Sequence, residues 1–281
     1  MNSLRDRLTR ARNFFSIDDE DRDVLVIMFN CLETELCVRS SLDDPGSYSG
    51  PRAKTLADFF LYTTQRFEEL LVQLAQLEWM KEKFMSAQNQ ERGLWHLFAP
   101  LSVKSFHVGV VSLMDSLAPL AISIRGSLSS AEQMRLPELP RALHKHRDRI
   151  PAAVVDCLES AQAWYDTVRE VRNILVHRQH HQIIIGGPEE GPIFQVQERR
   201  VGPRILLPHA TWRPDGQNPE LVDFTLYAAW ILAELLILLD DLGSIIASEL
   251  GVTDDISNRA RRKGDFRVFR SALDRLIDRA A

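Results

Sequence analysis

Apolar residues recur at helical spacing along most of the chain. From Leu56 to Gln88, Phe60, Phe67, Leu70, Leu74, Leu77 and Phe84 stand three, four or seven apart, which predicts a long amphipathic helix. A second stretch, Val103 to Leu128, buries Phe106, Val110, Leu113 and Leu117, and Pro119 should kink it or end its regular part. A third, Pro151 to Val176, carries the stripe Val154, Leu158, Ala161, Tyr165, Val168 and Leu175, with Pro151 suited to a first turn. A fourth opens with Asn218 as cap and Pro219 in the first helical position. It runs through Phe224, Ile231, Leu235, Leu238, Leu242 and Ile245, and Gly251 suits its end. Upstream, Ser16 and Asp19 have capping-box spacing ahead of the apolar run Val24 to Val38, and the acidic run Asp18 to Asp23 suits a helix N-terminus. A short helix is expected from about Asp265 to Arg279.

The pattern changes between the third and fourth stretches. His181 to Ile185, Ile193 to Gln197 and Arg204 to Pro208 read as short strands, with Gly186 to Gly191 as the turn between the first two. The fold class expected is therefore mainly α: an antiparallel helical bundle with a small β insertion before the last core helix. The turn-rich segment Leu42 to Pro51 is the best boundary in the first half. We divide the chain into a helical extension (1–50), a bundle (51–251) with its insertion at about 181–208, and a basic helical tail (252–281).

Length and charge narrow the function classes. With 281 residues and 45% hydrophobic residues, the chain can bury a full core. Its net charge of -5 rules out a simple polycation that coats nucleic acid. Three scattered cysteines do not make a disulfide framework, which favours a reducing compartment, the cytoplasm. The N-terminal MNSLRDRLTRARNFF has no apolar core of a signal peptide. The most apolar stretch, Phe224 to Leu239, falls short of the roughly 20 residues that span a bilayer and carries Glu234. It reads as a core helix, with a single-pass anchor as the other reading. No membrane partner is expected.

The richest chemistry lies at the end of the third helical stretch, in EVRNILVHRQHH (Glu170 to His181). Arg172 offers a rigid fork that matches phosphate oxygens. His177 can exchange a proton near neutral pH. Asn173 can both donate and accept hydrogen bonds. Together they suit cleavage of a phosphodiester without a metal. Asn173 and His177 share a helix face, whereas Arg172 and His177 point about 140° apart. They converge only if the helix ends near His177, if Arg172 reaches around, or if a second copy supplies one partner. Arg and His at a helix C-terminus also cap carbonyls and complement the dipole, the purely structural reading.

The Arg-Asn-x-x-x-His spacing of Arg172, Asn173 and His177 resembles the HEPN family, the higher-eukaryote and prokaryote nucleotide-binding domain. The resemblance implies a bundle of four to five helices and a metal-independent endoribonuclease that works as a homodimer. It implies Arg172 and His177 as the catalytic pair, with Asn173 orienting them or the phosphate. It also implies a toxin–antitoxin or antiphage-defence setting, with an antitoxin or other protein as partner. Gln179 stands where members paired with a nucleotidyltransferase antitoxin carry a modified Tyr, so that regulation is not expected.

RNA is the expected partner. Arg169, Arg178, His180 and His181 surround the motif. Upstream, the basic stretch Arg141 to Arg149 contributes Arg141, Lys145 and Arg147. The tail stretch Asn258 to Arg270 contributes Arg261, Arg262 and Lys263. There Phe266 and Phe269 either stack on bases or dock the tail on the bundle. No carboxylate or Cys joins the histidines at a ligand spacing, so no metal and no cofactor is expected. His96, His107 and His209 read as ordinary helix or loop residues. Two alternatives to the nuclease stand: a non-catalytic RNA- or nucleotide-binding module, and a helical scaffold that docks a protein.

Overall fold

A computed structural model describes residues 3–17, 23–41, 50–86, 93–126, 128–129, 132, 136–177, 184–195, 207–212, 221–252, 262–264 and 266–280. The elements in chain order are α1 (Leu4–Arg12), β1 (Phe15–Ile17), β2 (Asp23–Leu25), α2 (Met28–Arg39), α3 (Gly50–Ser86) and α4 (Trp95–Ser123). Then come α5 (Leu139–Lys145), α6 (Ala152–Ser160), α7 (Gln162–His177), β3 (Ile184–Ile185) and β4 (Ile193–Gln195). The chain closes with β5 (Leu221–Asp223), α8 (Phe224–Glu249), β6 (Arg262–Gly264) and α9 (Arg267–Arg279).

The protein is mainly helical, and α8 is its axis. Every residue from Phe224 to Leu239 is buried, as befits a helix that is apolar all round. The Asp223 side chain caps it by accepting from Leu226 N at 3.1 Å. Helices α1, α2, α3, α6 and α9 pack around α8. One buried carboxylate interrupts this core. Burial pushes the Glu234 carboxyl above its usual range, and the Arg7 guanidinium of α1 pairs with it. At Gly243 the backbone of α2 comes so close that an added Cβ would lie 2.5 Å from Phe29 N. The Asp240 carboxylate meanwhile accepts from Met28 N at 2.9 Å, holding the start of α2 to α8.

Helices α3 and α4 form a long antiparallel hairpin. Gly109 of α4 sits against Leu70 of α3, and Phe84 stacks on Phe98 with centroids 5.9 Å apart. Among the described residues α4 alone is long and apolar enough to cross a membrane by length and composition. Its inner face, including Val103, Phe106, Val110, Leu113 and Leu117, fills the core. The helix runs on to Ser123, past both Pro100 and Pro119, so Pro119 does not end it. Only four residues follow Pro119, and Leu120, Ala121 and Ile122 among them are buried and hold that turn in place.

The remaining departures from the sequence pattern have local causes. Ser16 does not cap a helix. It lies in β1 opposite Val24 of β2, and Asp23 of the acidic run is strand as well. The capping box of this region belongs to Ser3 and Asp6, at the start of α1. The third helical stretch is two helices, broken at Ala161 between α6 and α7. Asn218, Pro219 and residues 204–206 lie outside the described residues, and Leu207 and Pro208 are not strand. The third strand of the insertion is instead β5, giving an antiparallel sheet in the order β3-β4-β5 ahead of α8. Gly186 and Gly191 close its first turn with φ of 100° and 78°, which only glycine adopts readily. A second sheet, β1-β2-β6, joins the two ends of the chain.

Candidate functional site

Helix α7 packs on α4 and presents the motif at its C-terminal end. Val168, Val171 and Ile174 are buried and fix which way the helix faces. Arg172 and Asn173 on the flanks are half-buried. The Arg172 guanidinium donates from Nη1 to Asn173 Oδ1 at 3.1 Å, so the two side chains form one unit. His177 is helical and is the last described residue of α7. Its side chain, and Arg178, His180 and His181, lie outside the described residues.

The other expected RNA contacts are placed differently. Arg169, one turn before Arg172, pairs with Glu138, stands 3.5 Å from Asp166 and covers the Tyr165 ring at 5.6 Å. Arg147 pairs with Glu159 of α6, and Arg149 with Glu132 at 3.3 Å. Arg141 and Lys145 are exposed on α5. Glu138, just ahead of α5, brings the start of that helix to α7 through its pair with Arg169. Arg262 and Lys263 lie in β6 opposite Leu25 and Val24 of β2, and Arg261 is outside the described residues. Phe266 and Phe269 are buried edge-on against Phe15 at 5.5 and 5.6 Å. They dock the tail on the body and are not free to stack on bases.

A polar cluster stands behind the motif, built on Asp115, whose facing the sequence alone leaves open. Asp115 Oδ1 on α4 accepts from Leu139 N at 3.0 Å and from the Tyr165 hydroxyl at 3.3 Å. Burial pushes the Asp115 carboxyl up, while those two donors and Arg169 hold it down. Burial likewise pushes the Tyr165 phenol up. One carboxylate thus ties α5 and α7 to α4, two turns ahead of Arg172. The available signal was Asp115 itself, the single charged residue between Lys104 and Arg125. We expect Asp115→Ala to cost about 1–3 kcal/mol, because it strips the acceptor from two buried donors. Tyr165→Phe should cost about 1 kcal/mol. Urea melts of the two variants check this, and an Asp115→Ala protein as stable as the wild type would contradict it.

His107 is a fully buried helix residue that links α4 to α8. Its Nδ1 donates to Val103 O at 2.7 Å, so Nε2 accepts from the Tyr227 hydroxyl at 2.9 Å. Complete burial pulls its pKa down to about 4. It is a neutral, structural histidine at physiological pH.

No family model, curated protein or solved structure matches this chain.

Proposed function

We propose that the protein is a metal-independent endoribonuclease of the HEPN type, working as a cytoplasmic homodimer in toxin–antitoxin or antiphage defence. The observation that supports this reading best is the bonded pair Arg172 and Asn173, one turn before His177 on the same helix. In the reaction His177 takes the proton of a ribose 2'-hydroxyl or returns one to the leaving 5'-oxygen. The 2'-oxygen attacks phosphorus as the bond to the 5'-oxygen breaks, leaving a 2',3'-cyclic phosphate and a 5'-hydroxyl. Arg172 stabilises the charge that grows on the phosphate, and Asn173 holds the guanidinium in place. Arg141 and Lys145, both exposed, are the upstream residues best placed to guide the RNA backbone; Arg147 and Arg169 are engaged in ion pairs.

The test pairs wild type with His177→Ala on labelled single-stranded RNA in EDTA. We expect cleavage by the wild type only, with 2',3'-cyclic phosphate ends. Cleavage that survives in His177→Ala removes His177 from the mechanism. RNA retained by both proteins and cut by neither assigns the binding module instead.

A further inference from the structure

We propose that the outer face of the α3–α4 hairpin is the contact surface for a second copy of this chain. Along α3, Glu69, Val72, Gln76, Trp79 and Lys83 are all exposed and follow one another at alternating steps of three and four. Along α4 and the residue before it, Leu94, Leu97, Leu101 and Val108 continue the same rhythm, and all are exposed. Alternating three and four is the seam spacing of helices that pair along their length. A surface helix ordinarily turns such a seam inward; here Trp79 is 58%, Leu97 63% and Leu101 60% exposed.

The two seams make one patch. Gly109 against Leu70 and Phe84 against Phe98 set the register of the antiparallel hairpin. That register puts Val72 level with Val108 and Trp79 level with Leu101. The six apolar side chains bare on the order of 600 Å², the upper end of what a monomer leaves uncovered and most of the ~800 Å² each partner gives to a stable interface.

The pattern of charge names the occupant. The α3 face is antisymmetric about Gln76: Glu69 stands seven residues before it and Lys83 seven after. Val72 and Trp79 flank it at four and three. A two-fold axis crossing α3 at Gln76 therefore lays Glu69, which also pairs with Arg66 of its own helix at 2.8 Å, on Lys83 of the second copy and Val72 beside Trp79 of the second copy. Gln76 meets itself, and an amide, being both donor and acceptor, pairs with its own kind. An interface between identical chains requires this self-complementarity, whereas a different partner does not. On α4 the same register puts Lys104 level with Gln76, so the two copies' Lys104 approach one another at the axis; each is half-buried, and its stem carries the ammonium out to the rim, away from its twin.

This surface shares with the nuclease reading only the expectation of a dimer, and its test uses no RNA. Sedimentation equilibrium of the full chain at tens of micromolar should give twice the 32.1 kDa chain mass. Leu101→Glu, which replaces an exposed side chain and should leave the circular dichroism unchanged, is expected to weaken self-association about 30-fold or more. Glu69→Lys and Lys83→Glu should each weaken it, and the double exchange should restore it. A wild-type particle of 32.1 kDa overturns the proposal, whether or not that monomer sediments with anionic lipid vesicles. So does a dimer that Leu101→Glu leaves intact. Failure of the double exchange to restore pairing overturns the axis at Gln76.

Discussion

Between about pH 6.5 and about pH 4 the protein loses about 3 kcal/mol of folding stability through one residue, His107. In the unfolded chain this imidazole takes up its proton near pH 6.5, whereas in the fold it resists until about 4. Over that window the unfolded state binds more protons, so acid favours unfolding. The contribution is whole above pH 6.5 and falls away as pH drops towards the folded value. Asp115 and Glu234, whose carboxyls burial pushes up, work in the opposite direction. Denaturation of wild type and His107→Phe at several pH values cancels such shared terms. At neutral pH the variant should be less stable by about 1–3 kcal/mol, because the Tyr227 hydroxyl loses its acceptor. Towards pH 4 the variant should gain on the wild type by about 3 kcal/mol. A difference that stays constant with pH sinks the argument.

Gly243→Ala should destabilise the protein by about 2–3 kcal/mol, although alanine favours a helix interior by about 1 kcal/mol over glycine. The new methyl would stand 2.5 Å from Phe29 N and 2.8 Å from Met28 C, both backbone atoms with no rotamer to yield. Helix α2 could escape only by giving up the bond from Met28 N to Asp240 and the burial of Phe29 against Phe60. At half-buried Gly126 no atom lies within 4 Å of an added Cβ, so Gly126→Ala serves as the control with little effect. Thermal melts of both variants decide it, and a Gly243→Ala protein as stable as wild type would mean that α2 and α8 are not in this register.

The long helices were legible because a buried face repeats in the sequence that builds it. The break at Ala161 was not, since Leu158, Ala161 and Tyr165 keep the stripe in phase across it and neither Gly nor Pro marks the turn. Ser16 misled for a related reason. Its spacing to Asp19 is that of a capping box, but what makes it strand is pairing with Val24, and Val24 pairs in turn with Lys263 far along the chain. Strand β5 was hidden behind Asn218 and Pro219, strong helix-start residues just before it. In the candidate site, the bonded neighbours Arg172 and Asn173 could be read directly. The link from Asp115 to Tyr165 spans 50 residues and could not, because a lone carboxylate in an apolar helix announces a need without naming what meets it.

The sheet that joins β1 and β2 to β6, with Arg12 on α1 bonded to Asp274 on α9 across 262 residues, also sets an order of events during synthesis. The β1–β2 hairpin leaves the ribosome well before its third strand, β6, is made. Until then one strand edge of β2 stays unpaired and the faces of α1 and α8 that α9 covers stay bare. Closure over so long a loop is slow, and an edge left open is where newly made chains stick to one another. The segment from β6 through α9 thus acts as the latch of the fold, and deleting it should yield aggregates rather than a smaller folded protein.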